Sequence, residues 1–296
     1  MHLTAKEQSI DGLAAAGPED WTTRITPHQG WFDWRLRQLW SYRDLIGLFV
    51  WRDFVSAYKQ TVLGPLWHII QPLLTTVMFT IVFSKVARLS TDGVPPFLFY
   101  LMGTVTWGYF SGNLLKTAYT FVGNAHLLGK VYFHRLVIPI SVTVSNLITF
   151  GIQFAIFVVF LLWHWLTTGD VRLNGAIALT PLFLLMLAGY GLGGGIIVSA
   201  LTTRYRDLGN LVGFGVQLLM YATPVIYPAS SVPARYRWIV DLNPLTPVIE
   251  GMRVAFLGAG SLDLYHLGVS FCVMIALLAA GLMLFTHVER TFMDTV

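Results

Sequence analysis

Six stretches of the chain run for more than twenty residues without Asp, Glu, Lys or Arg. They lie between Lys59 and Lys85, Asp92 and Lys116, Arg135 and Asp170, Arg172 and Arg204, Asp207 and Arg235, and Asp263 and Glu289. A helix needs about 20 apolar residues to cross a hydrocarbon core of about 30 Å, and a charge at its centre costs about 2.5–3.5 kcal/mol. Each stretch is long and uncharged enough for one crossing. Composition excludes the rival explanation, a large soluble core: 55% of residues are hydrophobic and 11% charged, against about 25% charged in soluble domains. The lone cysteine, Cys272, falls in the last stretch, where it reads as a small buried side chain with no intrachain disulfide partner.

The expected fold is an all-α integral membrane protein with six transmembrane helices, an N-terminal interfacial helix, cytoplasmic termini and short extracytoplasmic helices between spans five and six. Orientation follows from the basic residues. With six spans, thirteen Lys and Arg residues fall on the side of the termini and six on the other, which places the termini in the cytoplasm. The net charge of +4 then belongs to a basic cytoplasmic face suited to anionic membrane lipids, and no nucleic acid is needed to explain it. Residues 1–30 lack the apolar run of a signal peptide and are expected to form a mobile cytoplasmic tail. Residues 31–296 form the membrane domain, with an interfacial segment at 31–60 and six spans within 61–288.

The interfacial segment mixes Trp31, Phe32, Trp34, Trp40, Trp51 and Phe54 with Arg and Lys, a combination that favours the headgroup layer. One or two helices are expected there, with Ser41 as an N-cap and Asp44 three residues on. Pro72 should weaken or kink the first span, and His68 and Gln71 beside it should face protein or water. In span four, Gly189 with Gly193 and Gly191 with Gly195 stand four apart, which lets helices approach closely. A dinucleotide-binding loop would need a soluble strand–turn–helix setting instead. The stretch 248–257 is too apolar for a loop and too short to span, so a helix dipping into the outer leaflet is expected.

No phosphate-binding loop, zinc motif or Cys–His cluster is present, and the spans carry no Asp or Glu for ion coupling. What the chain offers is aromatic and hydroxyl surface. Phe99, Tyr100, Trp107, Tyr109, Phe110 and Tyr119 in span two and its flanks, with Tyr221 and Tyr227 at the end of span five, are candidates to line a substrate channel, because sugar C–H faces pack on rings and hydroxyls exchange hydrogen bonds. Aromatic belts and helix contacts are the competing explanation. In the second cytoplasmic connection, His126, Lys130 and His134 recur every four residues and would share one side of a helix.

Five segments taken together resemble a known family: T-V-L-G-P-L-W-H-I-I-Q-P-L at 61–73, R-Y-R-D-L at 204–208, P-V-I-Y-P at 224–228, N-P-L-T-P at 243–247 followed by Glu250 and Arg253, and E-R-T-F-M-D-T-V at 289–296. In that order they are similar to the permease subunit of type-2 ABC transporters that export polysaccharide, O-antigen exporters above all, with capsule and teichoic-acid exporters as relatives. The resemblance implies a homodimer in the bacterial inner membrane joined to two separate ATPase subunits that hold ATP and magnesium, while this chain binds no cofactor and is not itself an enzyme. It implies a glycan substrate carried on undecaprenyl diphosphate. Arg52 and Lys59 would meet the diphosphate. His126, Lys130, His134 and Arg135, with Arg204, Arg206 and Asp207, would dock the ATPase, and 228–263 would shape the outer gate. The competing functions are a type-2 exporter of drugs or small lipids, a membrane glycosyltransferase or acyltransferase using Asp44 and Asp53, and a non-transporting assembly subunit.

Overall fold

The computed structural model describes residues 36–59, 62–124, 133–169, 174–204 and 208–292. The expected tail at 1–30 lies outside them. Two helices, α1 (Leu36–Ser41) and α2 (Arg43–Tyr58), form the interfacial segment. The break between them is Tyr42, not Ser41, and Tyr42 caps α2 without a side-chain hydrogen bond. Phe49 of α2 packs on Phe133, 5.8 Å between rings, and on Val137 and Ile138. Trp40 and Trp51 remain exposed on the other side.

The long helices follow: α3 (Trp67–Phe79) running into a π-helical segment Thr80–Val86, α4 (Pro96–Ala118), α5 (Val137–Thr168), α6 (Thr180–Arg204), α7 (Leu208–Ala222), the short α8 (Arg237–Leu242), α9 (Thr246–Leu257) and α10 (Leu264–Phe292). Local chemistry sets their ends. Pro96 opens α4, where its missing N–H would have had no partner anyway. Gly169 ends α5 with φ of 73°, a left-handed conformation that costs glycine no steric strain. Asp263 precedes α10 and accepts the Tyr265 N–H at 2.8 Å.

Four of these segments combine the length and apolarity of a span: Trp67–Val86, Val137–Thr168, Gly175–Thr202 and Leu264–Phe285. The two remaining charge-free windows differ from expectation. Helix α4 has 23 residues, ample length, yet it carries Thr104, Thr106, Ser111, Asn113, Lys116 and Thr117. Such residues are tolerated because most of α4 is buried against α5, α6, α3 and α9. Among the described residues the fifth window holds the 15-residue α7, about 22 Å long at 1.5 Å per residue and short of a hydrocarbon core. Pro224 explains the stop, since a residue preceding proline avoids helical backbone angles. Helix α9 occupies the stretch expected to form a helix dipping into the outer leaflet, but nearly every side chain in it is enclosed by protein. Cys272, expected to be buried, is exposed on α10.

Helix α4 is the centre of the bundle and α6 its main neighbour. Their contact depends on glycine. A Cβ on Gly191 would sit 3.0 Å from the Phe110 carbonyl oxygen, and one on Gly195 would sit 2.8 Å from the Leu114 carbonyl oxygen. On the opposite side of α6, a Cβ on Gly193 would stand 3.0 Å from the Leu278 nitrogen of α10, and Gly281 of α10 answers with an equally close approach to the Gly193 carbonyl. The two glycine pairs expected from spacing thus serve two different neighbours, Gly191 and Gly195 facing α4, Gly189 and Gly193 facing α10. Backbone-to-backbone contact of this kind gains packing where no hydrophobic effect drives helices together.

The non-helical backbone after α7 is held by one buried ion pair. Arg253 of α9 is 1% exposed and Glu250 is 2% exposed, with Nη1 donating to Glu250 Oε1 at 2.9 Å. Arg253 also donates to the carbonyl oxygens of Val225 at 2.6 Å and Tyr227 at 3.4 Å, while Glu250 Oε1 accepts the Ala229 N–H at 3.4 Å. The guanidinium lies 3.8 Å from the Phe99 ring centroid on α4. Gly103 leaves room there: a Cβ would come within 2.7 Å of the Val225 oxygen. Asn243 completes the clamp by donating to Thr223 Oγ1 at 2.7 Å.

Gly195→Val should push α4 from α6 and lower stability by about 2–3 kcal/mol, the range for overpacking, whereas Gly151→Ala on α5, with open space around it, should leave the melting temperature in detergent unchanged or slightly raised. Glu250→Ala should strand the Arg253 charge at a cost of about 3–5 kcal/mol. The double variant Glu250→Leu/Arg253→Met should recover part of that loss in the same thermal unfolding assay. An additive double variant would show that the two side chains act independently.

Candidate functional site

Proline in the first span has a consequence one turn earlier. Pro72 has no N–H to give the His68 carbonyl, and that carbonyl instead accepts Gln153 Nε2 from α5 at 3.1 Å. Around this cross-link the polar residues of three helices converge. On α3 these are His68, Gln71 and Thr75; on α4, Thr104, Ser111 and Lys116; on α5, Asn146, Thr149 and Gln153. They line a cavity of about 360 Å³ with Tyr109 and Phe150 on its wall. A second cavity of about 200 Å³ shares His68, Lys116 and Thr149 and extends to Asp53 and Ser56 of α2, with Ser145 on its wall. Together they form a polar cleft reaching from α2 into the middle of the bundle.

Lys116 sets its electrostatics. The ammonium donates to Asn146 Oδ1 at 2.7 Å, and Asn146 Nδ2 donates to Asn113 Oδ1 at 2.8 Å. Asn113 and Asn146 are both buried, so the chain of amides holds the lysine in place. Among the described residues no carboxylate lies within ion-pairing distance of Lys116. Asp53 on the lower wall is engaged by Arg52, 2.8 Å from Nη2 and 3.0 Å from Nε. No cluster of metal-ligating side chains occurs among the described residues. The lining can therefore bind an anion or hydroxyl-rich groups.

A third cavity, about 430 Å³, opens at the opposite end of α4 between Asp92, Leu98, His164, Phe256 and Gly258. Asp92 there accepts the Ser230 hydroxyl at 2.8 and 2.9 Å from its two oxygens.

The residues singled out from sequence fall in different places. Of the aromatic set, Tyr109 borders the polar cleft, 5.2 Å from the Phe150 ring. Phe99, Tyr100, Trp107 and Phe110 are packed in the core of the chain. Tyr119 and Tyr221 are exposed, and Tyr227 is half-buried with its hydroxyl donating to the Tyr221 carbonyl at 3.0 Å. Arg52 pairs with Asp53 and stacks 4.6 Å from the Phe49 ring centroid, and Lys59 is exposed at the end of α2. His134 and Arg135 are half-buried just before α5, Arg204 is the last residue of α6, and His126, Lys130, Arg206 and Asp207 lie outside the described residues.

Sequence reasoning assigned Lys116 to a connection between spans; it belongs to the last turn of α4. Asn146, Thr149 and Gln153 were missed altogether. Their signal was present, because positions 146, 149 and 153 share one face of a helix, as do 68, 71 and 75. A polar stripe on each of two apolar spans marks the sides that turn toward each other.

Comparison with known proteins agrees with this architecture. The chain is 28% identical over 251 residues to the O-antigen export system permease protein RfbA of Klebsiella pneumoniae, covering 85% of this chain and 94% of that protein. It is 26% identical over 270 residues to the protein of the same name from Myxococcus xanthus, covering 88% and 98%. The family model for the ABC-2 type transporter matches residues 44–257, a span that takes in α2, the polar cleft and the Glu250–Arg253 clamp. The chain belongs to the ABC-2 type transporter family.

Proposed function

We propose that this chain is the membrane subunit of an ATP-driven exporter that moves undecaprenyl-diphosphate-linked polysaccharide, O-antigen first among them, from the cytoplasmic to the outer side of the bacterial inner membrane. The observation that carries the reading is likeness along nearly the whole length of proteins named O-antigen export permeases. The cleft supports it physically. Its amides and hydroxyls suit sugar hydroxyls, and the charge-free windows supply no Asp or Glu for ion coupling, so energy would come from a partner that hydrolyses ATP.

Two copies would form the path, because one bundle centred on a filled α4 leaves no opening wide enough for a glycan, whereas a two-fold pair can enclose one along its axis. Tyr109 at the cleft and the exposed Tyr119 and Tyr221 would contact sugars directly. Phe99, Tyr100, Trp107, Phe110 and the half-buried Tyr227 would do so only once the surrounding helices part. The termini and α2 would face the cytoplasm. His126, Lys130, His134 and Arg135, with Arg204, Arg206 and Asp207, would receive two ATPase subunits, and Arg52 and Lys59 would stand at the rim where the substrate's diphosphate arrives.

Deleting the gene in its native host should abolish the surface glycan and leave lipid-linked glycan inside the cytoplasmic membrane. Normal surface display in the deletion strain would refute the export reading. Charge reversal at Lys130 and Arg135 should reduce copurification of the ATPase subunit at least about tenfold, on the order of the loss of one charge-assisted contact. Full copurification of the double variant would move the docking surface elsewhere.

A further inference from the structure

Three described cations differ in how their charge is met. Arg253 has Glu250 and Arg52 has Asp53 at ion-pairing distance, whereas the hydrogen bond of Lys116 goes to the neutral amide of Asn146. An ammonium carries three N–H donors, and the Asn146 bond uses one. The remaining donors belong to a side chain exposed along the cleft. A cation is best compensated by an anion, and the one carboxylate on the described walls, Asp53, stands between two cations, hydrogen-bonded through Oδ1 to Arg52 and facing the cavity it shares with Lys116, so the cleft keeps an excess positive charge.

The position of the cleft says what kind of anion fits. Lys116 is the third residue from the end of α4, and the lower cavity reaches α2, whose exposed Trp51 marks the headgroup layer. The same helices that build the cleft expose Leu74 and Val77 on α3 and Leu147 and Ile148 on α5, surfaces that accept acyl or prenyl chains. Beside Lys116, Ser145 bears a buried hydroxyl with no hydrogen-bond partner among the described residues, and Gln71 adds an amide. Phosphate oxygens are acceptors only and match this set of donors.

We propose that the cleft between α3, α4 and α5 receives the phosphate headgroup of a lipid, with Lys116 as its cation and Asn146 and Asn113 as the positioning residues that aim it. The inference rests on the export reading above for the identity of that headgroup, the diphosphate of the carrier lipid. It differs from that reading in placing the charge contact inside the bundle, one helix layer deeper than Arg52 and Lys59.

The test uses the full chain in nanodiscs of phosphatidylcholine, so that no anionic lipid competes. Acetylation of Lys116 by an amine-reactive ester is followed by mass spectrometry, with undecaprenyl diphosphate, undecaprenol or inorganic pyrophosphate added. Undecaprenyl diphosphate should slow labelling of Lys116 at least about tenfold, while undecaprenol and pyrophosphate at the same concentration leave it unchanged. In parallel, Lys116→Gln should raise the Kd for undecaprenyl diphosphate about tenfold or more, and Lys116→Arg should stay within about threefold of the wild type, as expected for a charge-assisted contact. The labelling arm uses the unaltered protein and stands even if the glutamine variant fails to fold. Binding of undecaprenyl diphosphate with Lys116 labelled at its full rate would overturn the pocket and leave the export reading intact. No binding at all would overturn both, and equal protection by free pyrophosphate would overturn the lipid-borne source.

Discussion

A backbone that leaves the helix among buried groups must find new hydrogen-bond partners, and this requirement organises the protein. Each interruption is answered by a side chain from another element. Pro72 deprives the His68 carbonyl of its donor, and Gln153 of α5 supplies one. Pro224 ends α7, and the carbonyls beyond it turn to Arg253 while the Ala229 N–H turns to Glu250. An unsatisfied backbone group in such surroundings costs several kcal/mol, so these polar side chains are structural necessities before they are anything else. The pair Glu250 and Arg253 also shows the associated cost, since two desolvated charges hold only while both are present.

The same requirement links structure to the proposed transport path. Gln153 repairs the proline break and at the same time becomes part of a polar wall between α3 and α5. Asn146 and Thr149 lie on the same face of α5, so the cleft continues along that face to Lys116. The opposite side of α4 is closed by α6, where Gly191 and Gly195 bring the helices too close for any cavity. Close packing on one side and a polar cleft on the other thus divide the surface of a single helix.

Much of this was legible in the chain before folding was considered. The windows free of charge located α3, α5, α6 and α10, the glycine pairs located the close contacts of α6, and the aromatic and basic mixture located α2. The site was less legible for a physical reason. Lys116 closes a charge-free window, and a charge at that position reads as the boundary of a span; only the packing of α4 against α5 shows it turned onto Asn146. Tyr100 and Trp107 look like candidates for a channel wall because aromatic residues serve walls and cores alike, and their burial in the core is a matter of which neighbours surround α4. The exposure of Cys272 is of the same kind, since one small residue in an apolar run carries no sign of the direction it faces.

Charge spacing, hydropathy and the positions of proline and glycine were enough to determine that the chain is helical, suited to a membrane and weakened at Pro72. Those features act locally: solvation of a charge and the geometry of a proline ring depend little on distant residues. Tertiary structure alone decided which carbonyl each buried donor meets, which face of α4 is sealed and which holds a cleft, and that α7 stops short while α9 is enclosed. These outcomes depend on the juxtaposition of residues far apart in the chain, 85 positions in the Gln153 bond to His68 and 138 in the Ser230 bond to Asp92, and no local property of the chain specifies such a pairing.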